Sequence, residues 1–289
     1  IYDLFLTFPE PLVPRQRRLE VAERLDRNGS VVTPLDEDMV CEALARLVAM
    51  GVDAVAVCFL HSYASDAHER RVATIARDLY PQLTVSLSCD VVPELGEYQR
   101  CVTTCANAYV QPLMARYVAR LGRELRVRGF FGALRLMHSG GGLVSPETAA
   151  TVPIRLLESG PAGGGLATAL FGRLAGKLDL ISFDMGGTTA KACLVENGRT
   201  EIAPMMEAAR VHRFTRGSGL PIKAPVIDMI EIGAGGGSIA RIDEVGLLRV
   251  GPHSSGSSPG PACYGNGGTQ PTVTDANLVL GFYDPAFFL

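Results

Sequence analysis

The stretch that decides the fold occupies residues 183–189 and reads Phe183-Asp184-Met185-Gly186-Gly187-Thr188-Thr189. Residues 178–183 form an apolar run before it, and residues 190–195 form another apolar run after it. Two glycines between two such runs predict a tight hairpin. Asn197 and Gly198 then mark a turn into a third strand, so we predict an antiparallel meander that begins with this hairpin.

The residue types in the predicted hairpin are those of a phosphate site. Glycines allow a phosphate to approach the backbone closely, and the N–H groups and threonine hydroxyls of the turn can donate hydrogen bonds to its oxygens. An aspartate at the end of the first strand is placed to hold Mg²⁺ through water, because Mg²⁺ keeps much of its hydration shell. The alternative is an ordinary hairpin with an incidental aspartate. The predicted site comprises Asp184, Gly186, Gly187, Thr188 and Thr189.

A second glycine-rich segment follows a predicted strand over residues 226–232. It occupies residues 233–238 and reads Gly233-Ala234-Gly235-Gly236-Gly237-Ser238. Glycine weakens regular structure, so four glycines in five positions indicate close approach of a ligand to the backbone. No Gly-Lys-Ser/Thr follows as in a P-loop, and a strand follows where a dinucleotide fingerprint would have a helix. A flexible loop is the alternative.

Three further features favour structural explanations. Residues 158–165 open a predicted helix over 160–175, and the glycines of that helix favour close packing over nucleotide contact. Asp275 is interpreted as part of the start of a final short helix rather than as a ligand. Lys191 could face a phosphate, but we expect a solvated side chain.

The first part of the chain has a different pattern, an αβαβ order that is typical of helices on a parallel or mixed sheet. Thr33 is predicted to be the N-cap of the first helix, which Gly51 ends. Pro112 is expected to kink or break the long helix that follows. The predicted elements are, in order, a helix after Thr33, a strand over 53–60, a helix over 65–79, a strand over 83–87 and a long helix over 99–127.

Composition excludes several classes of protein. The chain has 289 residues, 47% of them hydrophobic, which is enough for two domains and excludes disorder of the whole chain. A formal net charge of −3 does not provide the positive surface that nucleic-acid binding requires. No stretch of the sequence approaches the ~18 consecutive apolar residues of a membrane-spanning helix. Seven cysteines without a Cys-x-x-Cys pair predict reduced thiols in the cytoplasm. The absence of an initiator Met and of a signal pattern leads us to expect a fragment of a longer protein.

Six segments, taken in their order along the chain, resemble one family. The set resembles the hydantoinase/oxoprolinase family, and within it the ATP-hydrolysing hydantoinase A subunits. Related members are 5-oxoprolinase and subunits of the ATP-dependent acetone and acetophenone carboxylases. The segments are FLHSYASDAHERR (59–71), ESGPAGGG (158–165), FDMGGTTAK (183–191), IEIGAGGGSIARID (230–243), GPACYG (260–265) and PTVTDANLVLG (271–281).

The resemblance implies an α/β fold, part of the ATPase fold of actin and sugar kinases, in which nucleotide binds between two ribonuclease-H-like halves. Each half is a mixed sheet flanked by helices. Residues 184–189 match the second phosphate hairpin, residues 233–238 match the glycine loop on the adenosine side, and the helix after Gly160 matches the connection between the halves. ATP and Mg²⁺ are the implied cofactors, with Asp184 as the metal ligand.

Two departures from the family pattern stand out. The Asp-x-Gly-Gly-Thr hairpin with which the family opens, its first phosphate loop, is absent from this sequence. Many members also have an acidic residue where this sequence has Lys191. The resemblance divides the chain into residues 1–90, the C-terminal part of the family's N-terminal region, and residues 91–289, the hydantoinase/oxoprolinase core.

The resemblance implies a fragment of an ATP-dependent cyclic-amide hydrolase that phosphorylates a carbonyl or enol oxygen of its substrate, and we expect the fragment alone to be inactive. A small cyclic amide or ketone is the implied substrate, and a hydantoinase B-type subunit or domain is the implied partner. Exposed core surface could also promote self-association. No residue is identified as a catalytic base. Three alternatives stay open: a ketone carboxylase subunit, a sugar-kinase-like phosphotransferase and a non-catalytic nucleotide-binding or assembly domain.

Overall fold

The computed structural model of the chain describes residues 7, 9–212 and 217–287. The chain divides into two units, which we describe separately. The first unit comprises Ile1–Ser159 and Ile202–Val226, and the second comprises Gly160–Glu201 and Ile227–Leu289. The division predicted after residue 90 concerns the sequence regions of a family and stays a prediction.

The first unit contains a parallel strand pair with helices around it. Ala54–Val57 pairs in parallel with Thr84–Leu87, which confirms the predicted αβαβ order. The helices of this unit are Glu37–Ala49, Ala67–Leu79, Ser88–Val91, Glu97–Val127 and Pro146–Thr151. Its other strands pair as Arg24–Leu25 with Val31–Thr33, Leu136–Met137 with Leu143–Val144, and Met206–Ala208 with Leu220–Ile222. A further pair, Ile202–Ala203 with Val226–Ile227, ends at the point in the sequence where the first unit gives way to the second.

Two apolar clusters form the core of the first unit. In the first, residues at helical spacing such as Val40 and Leu44 pack with Val57 of the parallel pair and with Ile75 of the second helix. The second cluster surrounds the long helix and includes Ala106, Ile154 and Ile222. Burial of these side chains supplies most of the stabilisation of the unit, at about 25 cal/mol for each Å² of apolar surface removed from water.

The predicted N-cap of the first helix is wrong. Asp36, not Thr33, is the N-cap, because its carboxylate accepts a hydrogen bond from the Met39 N–H at 2.9 Å while Thr33 lies in a strand. The helix Glu97–Val127 has 31 residues and does not break at Pro112, and the alternative of a kink there stays a prediction. Proline removes one helical hydrogen bond, and the buried side chains of the turns on both sides of Pro112 keep the helix packed.

A fully buried carboxylate in the first unit was not expected from the sequence. Glu69 accepts hydrogen bonds from the Phe59 N–H at 2.9 Å, the Ser88 hydroxyl at 2.6 Å and the Cys89 N–H at 2.9 Å. Such bonds offset the cost of burying a charge. They tie the segment after the strand Ala54–Val57 to the start of the helix Ser88–Val91. The charged surroundings of Glu69 in the sequence indicate a solvated residue, so its burial could not be predicted.

The second unit is built on an antiparallel sheet. Leu180–Met185, Ala190–Glu196 and Arg199–Thr200 form the predicted meander, which the structure confirms. Ile230–Ile232 pairs with the start of the middle strand, so the order across the sheet is Ile230–Ile232, Ala190–Glu196, Leu180–Met185. The unit also contains the antiparallel pair Ser238–Ile242 and Leu248–Ser254, most of the helix Ser159–Leu174, and the helix Val273–Val279.

The strand predicted over residues 226–232 is interrupted. It consists of Val226–Ile227 and Ile230–Ile232. The N–H of Asp228, between them, donates to the Glu201 carbonyl at 2.9 Å instead of continuing either ladder. The described strands form separate sheets, of which the largest has four strands and is antiparallel.

The helix Ser159–Leu174 packs on one face of this antiparallel sheet through a glycine. A Cβ on Gly165 would lie 2.9 Å from the Cys193 Sγ, and the Thr168 hydroxyl donates to the Ser182 Oγ at 3.0 Å. The packing interpretation of this helix is therefore confirmed at Gly165. The other face of the sheet is exposed at Phe183, so this apolar strand is covered on one side only.

The final helix begins with a capping box. Thr272 is the N-cap, and its hydroxyl accepts a hydrogen bond from the Asp275 N–H. The Asp275 carboxylate accepts from the Thr272 N–H and hydroxyl, both at 2.8 Å, and from the Cys263 N–H at 2.7 Å. Asp275 is therefore a helix-start residue, as predicted, and it also fixes the neighbouring 3₁₀ turn Ala262–Tyr264.

We expect Asp275→Asn to lower the free energy of unfolding at pH 7 by about 1–3 kcal/mol, because an amide can accept fewer of these hydrogen bonds than a carboxylate can. Burial raises the pKa of Asp275, but hydrogen bonds from Cys263 and Thr272 outweigh burial and lower the pKa to about 2. The pKa of an aspartate in the unfolded chain is about 4, and a lower pKa in the folded protein stabilises the fold at any pH above that value. This contribution is lost as the pH falls from about 4 toward 2. Urea unfolding at several pH values between 7 and 2 measures this.

The exposed Glu244 provides the control for this prediction, as Glu244→Gln. The wild type and Glu244→Gln should lose stability more steeply between pH 4 and pH 2 than Asp275→Asn does. Equal pH slopes for the wild type and Asp275→Asn would contradict the role of this carboxylate.

Candidate functional site

The predicted hairpin is a turn between the strands Leu180–Met185 and Ala190–Glu196. Asp184 belongs to the first strand rather than to the turn and is directly paired with Lys191. The turn is closed by a hydrogen bond from the Gly186 N–H to the Thr189 carbonyl at 2.9 Å.

The turn contains two backbone N–H donors, those of Gly187 and Thr188, that the hairpin's own hydrogen bonds do not use. Gly187 and Thr188 are exposed, and within the described ranges their N–H groups have no hydrogen-bond partner. Successive N–H groups that are free in a turn form the kind of concavity that binds an anion. The side chain of Thr188 is exposed at the same place, while Thr189 is half-buried. The geometry is therefore compatible with a phosphate at this turn.

The structure brings the two predicted glycine segments into direct backbone contact. The Gly236 N–H donates to the Gly186 carbonyl at 2.9 Å, and the Gly237 N–H donates to the Gly187 carbonyl at 2.7 Å. A Cβ on Gly235 would lie 2.7 Å from the Gly186 carbonyl oxygen and 2.7 Å from the backbone of Thr188. The second segment therefore packs directly against the backbone of the turn, and its glycines are needed for this close approach.

Further polar groups of the second segment also have hydrogen-bond partners. The Gly236 carbonyl accepts from the N–H and the hydroxyl of Thr274, both at 2.8 Å, and the Gly237 carbonyl accepts from the Ser255 N–H at 2.8 Å. The Ser238 hydroxyl accepts from the Gly235 N–H at 2.8 Å. The segment is thus ordered, and the flexible-loop alternative is wrong. Contact of Gly233 and of residues 235–238 with a nucleotide stays a prediction.

Two residues that hold this arrangement, Thr274 and Ser255, were not identified from the sequence. Thr274 lies in the predicted start of the last helix. Its hydroxyl is the one feature in the sequence that marks it as a possible hydrogen-bond donor. Nothing in the local pattern indicates that Thr274 bonds to a carbonyl 38 residues earlier in the chain.

The role of Asp184 as a metal ligand stays a prediction. The residue is exposed, and even a Cβ added to Gly164 would make only an ordinary van der Waals contact with its Oδ2, at 4.0 Å. Over the described part of the chain, no three or more His, Cys, Asp or Glu side chains are grouped to hold a metal ion. A single carboxylate with phosphate and water suits Mg²⁺, which often binds through one or two carboxylates.

The prediction of a solvated Lys191 is wrong. Its side chain is 15% exposed, and its Nζ lies 3.7 Å from the Glu231 Oε1. Pairing across the three strands places Asp184, Lys191 and Glu231 in one row, and side chains of directly paired residues share a face. A cation between two carboxylates has a favourable electrostatic environment, which explains its partial burial.

Comparison with known proteins identifies the family. A family model described as hydantoinase/oxoprolinase matches residues 100–289, and a model of the N-terminal region of the same family matches residues 1–80. This chain belongs to the hydantoinase/oxoprolinase family. The segments 183–191 and 230–243, which carry both glycine motifs, lie within the matched region.

Relatives within the hydantoinase/oxoprolinase family include an uncharacterized protein of Methanocaldococcus jannaschii, 42% identical over 97% of this chain and 42% of that protein. The nucleotide-free structure of acetone carboxylase has a TM-score of 0.80 at 28% identity, with coverage of 98% of this chain and 39% of the other. The crystal structure of the ATP-dependent caprolactamase of Pseudomonas jessenii has a TM-score of 0.70 at 35% identity, covering 98% of this chain and 40% of the other.

These comparisons confirm a mixed α/β fold. They also show how much of the related proteins this chain spans. The chain spans about two fifths of the length of each of these three proteins. Across the described residues, no helix combines the length and the apolar character that crossing a membrane requires.

Proposed function

We propose that this chain carries the phosphate-binding part of an ATP-dependent enzyme of the hydantoinase A type that acts on a cyclic amide. The observation that carries the proposal is the turn after Asp184, where among the described residues the N–H groups of Gly187 and Thr188 have no hydrogen-bond partner and the segment 235–237 packs against the backbone of the turn. A hairpin that only connected two strands would not require the glycines at residues 235–237 against its turn.

In the proposed complex, the N–H groups of Gly187 and Thr188 and the threonine hydroxyls donate to the phosphate oxygens of ATP. Asp184 holds Mg²⁺ through water, and the bound ion supplies positive charge that offsets the phosphates. This arrangement positions the phosphates and needs no covalent step by the protein. Residues 233–238 border the nucleoside, in a fold of the actin and sugar-kinase type.

ATP supplies the activation that an unreactive amide lacks. Transfer of the terminal phosphoryl group to the amide carbonyl oxygen makes the carbonyl carbon a better electrophile for water. The name of the Pseudomonas jessenii relative, an ATP-dependent caprolactamase, supports a cyclic amide as substrate. That relative is also named as an alpha subunit, which supports a second, B-type subunit or domain as the partner that completes the reaction.

A ketone carboxylase subunit is the second candidate. It is favoured by the TM-score of 0.80 with acetone carboxylase, described as ATP-dependent. In that case the phosphoryl group would pass to the enol oxygen of a ketone. The activated enol would then be carboxylated with carbon from bicarbonate. The same phosphate turn serves both reactions, so the substrate has to be distinguished by experiment.

Measurement of ADP release by the full-length protein with its B-type partner distinguishes these functions. We expect ADP release to depend on a cyclic amide such as caprolactam, hydantoin or 5-oxoproline, and to be accompanied by ring opening. Dependence on a ketone together with bicarbonate would favour the carboxylase, and dependence on a sugar would favour a kinase. ATP binding with no turnover for any of these would contradict the enzymatic proposal.

A further inference from the structure

The second half of the helix Glu97–Val127 concentrates positive charge. Residues 109–128 contain five arginines and one glutamate, a net charge of +4, in a chain whose net charge is −3. All five arginines are exposed, and none of their side chains has a hydrogen-bond or ion-pair partner among the described residues. The five are Arg116, Arg120, Arg123, Arg126 and Arg128.

Three of these arginines lie on one stripe along the helix. The residues of the stripe follow one another at alternating spacings of four and three. Such residues stay on one side of a helix, and this is the spacing at which a second helix packs in a coiled coil. We call these residues the arginine seam; they are Tyr109, Leu113, Arg116, Arg120, Arg123 and Val127.

The arginine seam has apolar ends that are open to solvent. Tyr109 and Leu113 are 75% and 64% exposed at one end, and Val127 is 83% exposed at the other. The opposite side of the helix is packed on the first unit, where Val118 is buried and the helix contacts Pro146–Thr151. The seam therefore faces outward. It extends over about 27 Å at about 1.5 Å per residue, which is long enough for a second helix.

Arginine–carboxylate pairs already join helices within this unit. The Arg70 guanidinium donates to both carboxylate oxygens of Asp90, at 2.7 and 2.5 Å. The Arg71 guanidinium donates to both carboxylate oxygens of Glu37, at 2.8 and 2.6 Å. Each pair connects two different helices. The arginines of the seam can offer the same two-pronged hydrogen bonding to carboxylates on another helix.

Charge and apolar surface together decide what fits the arginine seam. A second copy of the same seam would bring arginine against arginine, and like charges in direct contact repel. Nucleic acid would neutralise the arginines but would leave Leu113 and Val127 in water. A helix with carboxylates at its centre and apolar residues at both ends matches the whole length of the seam.

We propose that the arginine seam binds an acidic helix of a separate subunit, and that this subunit is the B-type partner. In the identity of the subunit, the inference rests on the proposed function. Carboxylates of the partner helix pair with Arg116, Arg120 and Arg123. Its apolar residues cover the two ends of the seam, and burial there adds about 25 cal/mol for each Å² of apolar surface.

The test is calorimetric titration of the full-length protein with the B-type partner. A seam variant that combines Arg116→Glu, Arg120→Glu and Arg123→Glu is compared with the wild type. The matched control reverses the charge of three exposed arginines of the first unit that lie outside the seam. The control combines Arg27→Glu, Arg46→Glu and Arg77→Glu. Circular dichroism establishes that each variant is folded.

We expect the seam variant to bind the partner at least about 100-fold more weakly, because it places carboxylates against carboxylates. The control should differ from the wild type by less than about threefold, because charges outside an interface act on binding only at long range. Val127→Asp keeps all the arginines and should still weaken binding about tenfold, because it removes an apolar contact at the end of the seam.

Four results would overturn the proposal. The folded wild type might not bind the partner, or the seam variant might bind it as tightly as the wild type does. Wild type that binds an RNA oligonucleotide through the seam, with partner binding unaffected in the seam variant, would assign the arginines to nucleic acid. A seam variant that unfolds at a lower urea concentration but binds the partner normally would assign the seam to another segment of the same protein.

Measurement of ADP release in the same mixtures separates this proposal from the proposed function. A complex that depends on the seam, but that releases no ADP with a cyclic amide or a ketone, would contradict the proposed function and support the seam as a docking surface. Partner-dependent ADP release that is the same in the seam variant and in the wild type would contradict the docking proposal alone.

Discussion

Replacing Gly235 with valine is expected to separate the two glycine segments and to lower the free energy of unfolding by about 2–3 kcal/mol. A Cβ at this position would lie 2.7 Å from the Gly186 carbonyl oxygen and 2.7 Å from both the nitrogen and the carbonyl carbon of Thr188. All three are backbone atoms of a turn that is closed by its own hydrogen bond, so no flexible side chain can move aside. Urea unfolding followed by circular dichroism measures the loss.

Gly163→Ala is the control for this substitution. Gly163 lies on the helix Ser159–Leu174 in the same unit, and a Cβ there would meet nothing within 4 Å. Alanine should raise the stability by about 0.5–1 kcal/mol, because glycine is unfavourable inside a helix. If Gly235→Val unfolded at the same urea concentration as the wild type, the contact between the segments would be refuted.

The second large effect is expected at Asp184. Asp184→Asn keeps the shape of the side chain and removes its charge, and should weaken Mg²⁺-dependent ADP binding by about 10–100-fold, as the loss of outer-shell partners of metals does. ADP binding without Mg²⁺ should change much less, because the N–H groups of Gly187 and Thr188 remain in place. Calorimetric titration of the full-length protein with ADP, with and without Mg²⁺, measures both quantities.

Asp179→Asn controls for the general loss of a negative charge. Asp179 precedes the same strand at its other end, where its carboxylate accepts a hydrogen bond from the Asn197 N–H at 2.9 Å. An asparagine oxygen can still accept that bond, so binding should stay at the wild-type level. Equal losses in Asp179→Asn and Asp184→Asn would show that the effect is not specific to the proposed metal position.

The meander could be predicted because its signals are local. Apolar runs on both sides of Gly186 and Gly187 and the later Asn197-Gly198 turn predict three consecutive strands, which the structure contains. The residues of the turn itself were also correctly identified. These features depend on chain neighbours only, and local conformational preferences are enough to specify them.

The contact between the two glycine segments could not be predicted in the same way. Glycines at residues 235–237 indicate that something approaches the backbone closely, but the sequence does not say whether it is a ligand or another part of the chain. In the structure the turn at residues 186–187 occupies that position. The neighbour lies about 50 residues away in sequence, and only the folded unit shows that it is there.

The burial of two charged residues also could not be predicted from the sequence. Glu69 lies between His68 and Arg70 in the sequence and was left unremarked, and Lys191 was taken to be solvated. In the structure Glu69 is fully buried with three hydrogen-bond donors, and Lys191 lies in a row with two carboxylates. The partners lie outside the element that carries the buried residue, so the compensation for burial is a tertiary property.

Hydrogen–deuterium exchange of the full-length protein, with and without ADP and Mg²⁺, tests the central claim most directly. The free N–H groups of Gly187 and Thr188 should exchange quickly without nucleotide and should be strongly protected once phosphate accepts their hydrogen bonds. Protection at this turn that disappears in Asp184→Asn is the result that our account predicts. Nucleotide binding that leaves exchange at residues 186–189 unchanged, or no nucleotide binding by the folded full-length protein, would contradict it.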